Sequence, residues 1–383
     1  MVNYTILAGG FSSVIATYFF DAGAKSLTLT QQNPSGENPS WIAQHPNNSL
    51  IIYAVNEIQP IGNLQSFSVG DAGLLSLVDT VSTGGNGPTF TNPLSTGEVT
   101  GMNFGSPNCS FVATVPDDPL HFEKDSPIID FPVGPNAPSN PHMSLEHNGE
   151  VFVPDLGADK IWRIVRDGAP GKFRVQGQID IDAGAGPRHI AIHDDILFTV
   201  HEKTSTLTAQ HIPEAPNGTT LPLLANVSVV PANPPEGTSF AAAEILISTP
   251  TERFPSPLIY VSNRNIGTTI DPAGDTIAIF QFNNGTSSDS SCTESTKRRM
   301  KRVNRIAKRG TESLELLAQV PTGLQQIRSM SLGKVEDGGD EFIIAGANTV
   351  GGVVILQRME EGRSLVEVTR NEDIANRTSF IFL

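Results

Sequence analysis

Short apolar stretches alternate with polar turns along most of this chain. One unit recurs: a polar or proline start, an apolar strand, a tight turn, a second apolar strand and a polar end. Clear copies begin near residues 40, 141, 187 and 242, and a weaker copy runs from Gln326 to Asn348. The spacing of about 46 to 55 residues between the last three clear copies matches the length of a four-stranded propeller blade. No long stretch has helical spacing, so the pattern predicts an all-β protein.

The repeat divides the chain into six segments and two leftover ends. The predicted blades cover residues 40–90, 98–138, 139–185, 186–240, 241–320 and 326–370. Pairing the leftover N-terminal strands (5–7 and 14–20) with the C-terminal segment 378–383 would add a seventh blade and remove a free sheet edge. We therefore predict one domain over residues 1–383, a seven-bladed β-propeller of four-stranded antiparallel blades closed by its two ends. Six blades remain the alternative, because segment 98–138 matches the repeat poorly.

Composition agrees with this architecture and limits the partners. Charged residues make up only 17% of the chain, whereas 35 glycines and 28 prolines supply turn conformations. The formal net charge of −15 argues against nucleic acid as a partner, since phosphate binding needs a basic face. No window suits a membrane span. We expect a cytoplasmic protein, with secretion as the minority alternative.

One basic, low-complexity segment interrupts the repeat. Eight of the 25 basic residues lie between Lys297 and Arg309, within the segment 283–313. An insertion within one blade is the simpler interpretation of this segment, and a docking or nuclear-targeting signal is the alternative.

The repeat also predicts where polar side chains converge. The first strand of a blade lines the channel and the second returns antiparallel, so strand starts and second-strand ends meet at one channel mouth. Those positions hold His142, Arg188, His189 and Glu244 at strand starts, and Glu57, Asp155, Glu202 and Arg264 at strand ends. Such a cluster of titratable groups is typical of a polar binding site. Structural roles are the alternative: a backbone-bonded His189, an Arg188–Glu202 ion pair, or an Asp155 that binds turn amides.

Several of these segments together resemble the lactonase seven-bladed β-propeller family, which includes 6-phosphogluconolactonases and 3-carboxy-cis,cis-muconate lactonizing enzymes. They are Pro141-His142, Val153 to Lys160, Gly186-Pro187-Arg188-His189, His201-Glu202, Ala242 to Ile245 and Tyr260 to Arg264. The resemblance implies the seven-bladed fold and a site without metal or cofactor. It also implies a catalytic set of one His, two Arg and one Glu, matched here by His142, Arg188, Glu202 and Arg264. We expect His189, Glu244, Asp155 and Glu57 to contact the substrate.

Three functions fit these residues. In a hydrolase for a small anionic lactone, Arg188 and Arg264 would hold a phosphate or carboxylate, and Glu202 or His142 would activate water. In a carboxymuconate cycloisomerase, the arginines would stabilise an enediolate and one of the same two groups would deliver the proton. A non-catalytic scaffold is the third possibility. Calcium is disfavoured, because both arginines would repel a cation.

Overall fold

Short β-strands form seven separate sheets in the part of the chain that the structure, a computed structural model, describes (residues 2–285 and 312–383). These described residues contain no α-helix, and three short 3-10 turns lie at Asp71–Gly73, Gly339–Glu341 and Glu360–Gly362. Each sheet is one blade of a ring, and successive strands within a blade run antiparallel. The seven-bladed all-β fold predicted from the repeat is therefore confirmed.

The strands follow one another from the innermost to the outer edge in most blades. Three N-terminal strands belong to blade 7: β1 (Asn3–Gly10), β2 (Val14–Asp21) and β3 (Ser26–Pro34). Blade 1 contains β4 (Ile42–His45), β5 (Asn48–Asn56), β6 (Asn63–Val69) and β7 (Leu75–Ser82). Blade 2 contains β8 (Pro88–Phe90), β9 (Glu98–Asn103), β10 (Asn108–Val115), β11 (Asp118–Phe122) and β12 (Ile128–Asp130). Blade 3 contains β13 (Leu145–His147), β14 (Glu150–Asp155), β15 (Lys160–Arg166) and β16 (Phe173–Asp180).

The second half of the ring repeats this order. Blade 4 contains β17 (Pro187–His193), β18 (Ile196–His201), β19 (Thr206–His211) and β21 (Leu223–Ser228), while β20 (Gly218–Thr219) pairs parallel with β16 of blade 3. Blade 5 contains β22 (Phe240–Ile247), β23 (Leu258–Asn265), β24 (Thr276–Asn283) and β25 (Ser313–Pro321). Blade 6 contains β26 (Ile327–Leu332), β27 (Phe342–Ala347), β28 (Val353–Met359) and β29 (Ser364–Asn371). The last strand, β30 (Arg377–Phe382), completes blade 7.

Blade 7 closes the ring by joining the two ends of the chain. Strand β30 is innermost and pairs antiparallel with β1, with Leu7 opposite Ile381. The buried Arg377 strengthens this joint by donating hydrogen bonds to the Val14 carbonyl at 3.0 Å and to Ser12 Oγ at 2.7 Å. The predicted pairing of the two ends is confirmed, and it removes the sheet edges that an open ring would expose.

The hydrophobic core lies between blades. Within the described residues, seven clusters of buried apolar side chains occur, and each spans one pair of neighbouring blades. Phe131, which follows β12, stacks on Trp162 of β15 with ring centroids 5.2 Å apart, joining blades 2 and 3. Because second strands such as β14, β18 and β27 bury consecutive side chains on both of their faces, the ring positions its inner strand ends firmly.

Some predicted boundaries were wrong. Strand β3 was not anticipated, and residues 88–90 belong to blade 2 rather than to the first predicted blade. Strands β24 and β25 pair on either side of the basic segment, with Asn283 opposite Ser313. Residues 286–311 lie outside the described part of the chain, so the insertion stays a prediction.

No helix in the described ranges is both long and apolar enough to cross a lipid bilayer.

Candidate active site at one channel mouth

Three site side chains are set at β-bulges in innermost strands. The register of β17 against β18 shifts between Pro187 and His189, which leaves Arg188 as the extra residue. Similar shifts occur at Glu244 in β22 and at Arg328 in β26. A bulge bends its strand and redirects a side chain, and bulges are common beside active sites.

Glu202 holds two of the arginines in place. Its Oε2 atom lies 2.9 Å from Arg188 Nε and 2.7 Å from Arg264 Nη2. Backbone carbonyls fix the other sides of the two guanidiniums: Arg188 Nη1 donates to Ala243 O at 2.8 Å, and Arg264 Nε donates to Ala241 O at 3.3 Å. Both arginines are buried, whereas the Glu202 side chain is 25% exposed. The two guanidiniums are therefore oriented before any ligand binds.

The concentration of positive charge changes the ionisation of these groups. Although burial opposes it, the charges of Arg188, Arg264 and Arg328 hold the pKa of Glu202 below its usual value. Burial and the neighbouring Arg264 lower the pKa of Arg188 to about 9, which keeps it protonated at neutral pH. Glu202 is thus an ionised partner of arginines, and its low pKa makes it a weak proton acceptor.

Two histidines and a glutamate form a buried hydrogen-bonded chain. His189 Nδ1 lies 2.7 Å from Glu244 Oε1, and His189 Nε2 lies 3.2 Å from His142 Nδ1. Aromatic edges pack against both imidazoles: Trp41 lies 5.3 Å from His189 and Phe104 lies 5.6 Å from His142, measured between ring centroids. Burial lowers the pKa of His189 and, helped by the arginines, lowers that of His142 well below its usual value. Both imidazoles are therefore neutral at pH 7.

A small cavity brings the two groups of residues together. It is lined by His142, Arg188, Arg328, Glu57 and Trp41, together with the Ser40 and Thr89 side chains. Its volume of about 10 Å³ is close to the minimum for one water molecule. Burial raises the pKa of Glu57, against the opposing effects of Ser40, Arg328 and Arg188. The channel mouth therefore joins a neutral histidine to several arginines around a space the size of one water.

A family model for the lactonase seven-bladed β-propeller matches residues 4–302 of this chain. The chain belongs to the lactonase family. Among curated proteins, the 6-phosphogluconolactonase of Bacillus subtilis is 25% identical to this lactonase-family chain over 289 residues, which cover 72% of the chain and 75% of the relative.

Solved structures agree with this membership at the level of the fold. A protein from Lactobacillus plantarum superposes with a TM-score of 0.76 at 19% identity, covering 100% of this chain and 99% of its own. The periplasmic gluconolactonase of Pseudomonas aeruginosa superposes with a TM-score of 0.76 at 16% identity, again covering 100% of this chain and 99% of its own. At these identities the likeness concerns the propeller architecture alone.

The lactonase-family mouth contains most of the residues predicted from the repeat. The structure brings together Glu57, His142, Arg188, His189, Glu202, Glu244 and Arg264. Their catalytic and binding roles stay predictions.

Asp155 lies outside this group. Its buried carboxylate accepts hydrogen bonds from the Asn140, Gly157 and Ala158 backbone amides, from the Ser139 hydroxyl and from Trp162 Nε1. Its lone pairs are therefore engaged inside blade 3, an arrangement that fits the structural role weighed for it in the sequence.

Arg328 was missed by the sequence prediction. It is largely buried, its guanidinium lies 5.3 Å from the Phe11 ring centroid, and its Nε atom has no hydrogen-bond partner among the described residues. Sequence reasoning passed over it because the sixth blade lacks the Pro-Arg start found at Pro187-Arg188. Its position after the first residue of an innermost strand is the signal that could have identified it.

A wider groove lies elsewhere. It has a volume of about 700 Å³ between blades 4 and 5, and is lined by residues such as Asp194, Phe198, Ile259 and Phe282. The turn after β17 contributes to it, so it lies at the face opposite Arg188. It contains none of the predicted site residues. Within residues 2–285 and 312–383, no group of three or more His, Cys, Asp or Glu side chains is placed to bind a metal ion.

Proposed function

We propose that this protein hydrolyses a small anionic lactone, with water as the nucleophile and no metal or cofactor. The observation that carries the proposal is the pairing, at one channel mouth, of a neutral histidine with an arginine cluster held by Glu202. Membership of the lactonase family and the relative named 6-phosphogluconolactonase support the same chemistry.

His142 is the proposed general base. Its Nε2 atom forms no hydrogen bond to any described residue, and the residue lines the cavity that has room for one water. Because the lowered pKa of His142 keeps the ring neutral at pH 7, Nε2 can accept a proton. Glu202 was the other candidate from the sequence. Two arginines already occupy its Oε2 atom, so we assign it to orienting them.

We assign the arginines to different negatively charged groups of the substrate. Arg188 lines the cavity beside His142, so it is the proposed donor to the oxyanion that forms at the lactone carbonyl. Arg328 forms no ion pair with any described carboxylate, and we propose that it binds the phosphate or carboxylate of the substrate. Arg264 completes the positive field from the far side of Glu202.

The proposed reaction is balanced within the substrate, one water and one histidine. Water adds to the lactone carbonyl carbon while His142 Nε2 takes one of its protons. The tetrahedral intermediate then breaks its bond to the ring oxygen, and the imidazolium returns the proton to that leaving oxygen. The product is the open hydroxy acid, and no co-reactant other than water is consumed.

Cycloisomerisation of a carboxymuconate is a second candidate for the same site. This candidate is supported by the proximity of four residues, His142, Arg188, Glu202 and Arg264. Arginines that stabilise an oxyanion would also stabilise an enediolate. A non-catalytic propeller is the third possibility.

A side-by-side assay separates these functions. One arm follows hydrolysis of 6-phosphogluconolactone and of gluconolactone, with and without chelator, and the other follows loss of 3-carboxymuconate absorbance. We expect chelator-resistant hydrolysis that is greater for the phosphorylated lactone and is lost in His142→Gln and Arg188→Gln. Muconate turnover alone would replace the proposal with cycloisomerase activity, and a folded protein silent in both arms would overturn the enzyme assignment for these substrates.

The cytoplasmic location expected from the sequence stays a prediction. One structural neighbour is named a periplasmic enzyme, so fractionation of the source cells would test it directly.

A further inference from the structure

We infer that Glu244 and His189 are positioning residues, which fix His142 in the tautomer that carries its proton on Nδ1 and leaves Nε2 as a proton acceptor. The inference starts from three buried side chains joined by two hydrogen bonds. It deepens the proposed function, which needs a free Nε2 on His142. It also replaces the substrate-contacting role that the sequence suggested for Glu244 and His189.

The direction of the first hydrogen bond follows from the surroundings of Glu244. Its Oε1 atom accepts the backbone N–H of Ile245 at 3.0 Å and lies 2.7 Å from His189 Nδ1. An oxygen that already accepts an amide proton is placed as an acceptor toward the imidazole as well. His189 Nδ1 must therefore be the donor, and the proton of this imidazole lies on the side of Glu244.

The second hydrogen bond follows from the first. A neutral imidazole has one N–H, so His189 Nε2 carries a lone pair and can only accept. Its partner at 3.2 Å, His142 Nδ1, must then donate the proton. Because His142 is neutral as well, its Nε2 atom is left without a proton, and His142 lines the cavity. The order of donors thus runs from His142 through His189 to Glu244.

Aromatic packing around His142 and His189 protects this order of hydrogen-bond donors. His189 is fully buried, with the rings of Trp41 and Phe90 packed edge-on within 5.8 Å of its centroid. Phe104 packs in the same way against His142, which is 4% exposed. These apolar walls limit the access of water to Nδ1 of either ring, which favours the two hydrogen bonds within the group over hydrogen bonds to solvent. A ligand in the cavity meets His142 but not His189.

The tautomer can be measured directly in the full-length protein without substrate. Long-range ¹H–¹⁵N correlation of the eight ¹⁵N-labelled histidines distinguishes protonated from unprotonated ring nitrogens, and the His142 signals are assigned by their loss in His142→Gln. We expect His142 and His189 to be Nδ1–H tautomers at pH 7. A wild-type His142 that is protonated at Nε2 would overturn the inference, whatever the protein's activity.

Matched variants test the role of the hydrogen bonds that join Glu244, His189 and His142. In Glu244→Gln the amide oxygen can accept both hydrogen bonds, so the His142 tautomer should be retained and kcat should stay within about threefold. In Glu244→Leu the acceptor is lost, and we expect a mixture of His142 tautomers with kcat lowered about 10- to 100-fold and KM changed less than twofold. Circular dichroism of each variant checks that the propeller is folded.

Two results would contradict the inference. One is an unchanged His142 tautomer and unchanged kcat in folded Glu244→Leu and His189→Leu. The other is a rise in KM at constant kcat, which would assign both residues to substrate contact. Failure of the proposed function has a different signature. His142→Gln would then turn over lactone normally, while the wild-type NMR signals would still show which ring nitrogens of His142 and His189 carry protons.

Discussion

Arg188 and Arg328 occupy the same position in blades 4 and 6. Each is the second residue of an innermost strand, and each lies at a β-bulge that interrupts the pairing with the next strand. Both guanidiniums line the same cavity at the channel mouth. They differ in their partners: Arg188 is paired with Glu202, whereas Arg328 has no carboxylate within ion-pair distance among the described residues. This difference predicts different phenotypes for the two arginines.

Replacing Arg328 should weaken binding of the substrate's anionic group more than it slows the chemistry. We expect Arg328→Gln to raise KM for a phosphorylated lactone about 10- to 100-fold, the effect of losing about 1.5–3 kcal/mol of charge-assisted hydrogen bonding. KM for the unphosphorylated lactone should change less than threefold. Steady-state kinetics on both substrates makes this measurement.

Arg253→Gln is the matched control, because Arg253 is 57% exposed and pairs with Glu341. Its kinetics should equal those of the wild type. An Arg328→Gln enzyme that loses kcat equally on both lactones would instead assign Arg328 to the reacting carbonyl.

The activity should persist under mildly acidic conditions. Burial and the charges of Arg188, Arg328 and Arg264 lower the pKa of His142 well below the ordinary value of 6.5. Since protonation of Nε2 would remove the proposed base, kcat/KM should stay constant as the pH falls through 6.5 and decline only at lower pH. A pH profile corrected for spontaneous lactone hydrolysis tests this. A decline centred near pH 6.5 would mean that His142 is exposed to solvent or is not the base.

The fold could be predicted from the sequence because blade repeats are local patterns. Two apolar strands and a tight turn recur at blade length, and the ends of the chain supply the missing strands. Strand β3 escaped detection because most of its side chains are polar, Thr28, Thr30, Gln31 and Gln32 among them. An outer, half-exposed strand has no need of an apolar run.

The site was harder to predict, because strand position alone does not specify the direction of a side chain. Glu202 and Arg264 were identified from strand ends, and the structure places them 2.7 Å apart. Asp155 occupies an equivalent strand end, yet its carboxylate serves five donors within blade 3. Arg328 enters the cavity through a bulge that hydrophobic alternation does not reveal. The number of donors around a carboxylate and the position of a β-bulge both depend on how neighbouring strands pair. The sequence alone does not give that pairing.

Loss of the Glu202 charge should lower the free energy of unfolding of the protein. Glu202→Gln would leave the buried Arg188 and Arg264 guanidiniums facing each other without a carboxylate. Breaking a buried ion pair by removing one partner costs about 3–5 kcal/mol, and the partial exposure of Glu202 favours the lower end of that range. Urea unfolding followed by circular dichroism measures the loss, with the exposed Glu367→Gln as control.

The pH dependence of this contribution has a defined sign. The folded-state pKa of Glu202 is lowered, so its stabilisation is fully present above the unfolded-state pKa of about 4.3 and is lost as the pH falls through the lower folded value. The stability difference between wild type and Glu202→Gln should therefore be constant from pH 5 to 7 and shrink below about pH 4. A difference that grew on acidification would contradict the lowered pKa.

Asp155→Asn should separate a structural carboxylate from a substrate-binding one. The asparagine NH₂ group would face hydrogen-bond donors where a carboxylate oxygen now accepts, leaving at least one buried donor unsatisfied among Ser139, Asn140 and Trp162. We expect the free energy of unfolding to fall by about 3 kcal/mol. KM and kcat of the folded fraction should stay within twofold of wild type at 25 °C. Asp195→Asn is the matched control, because that side chain is 80% exposed in a turn and should affect neither quantity. Unchanged stability together with a tenfold rise in KM would place Asp155 in the binding site, as the repeat pattern first suggested.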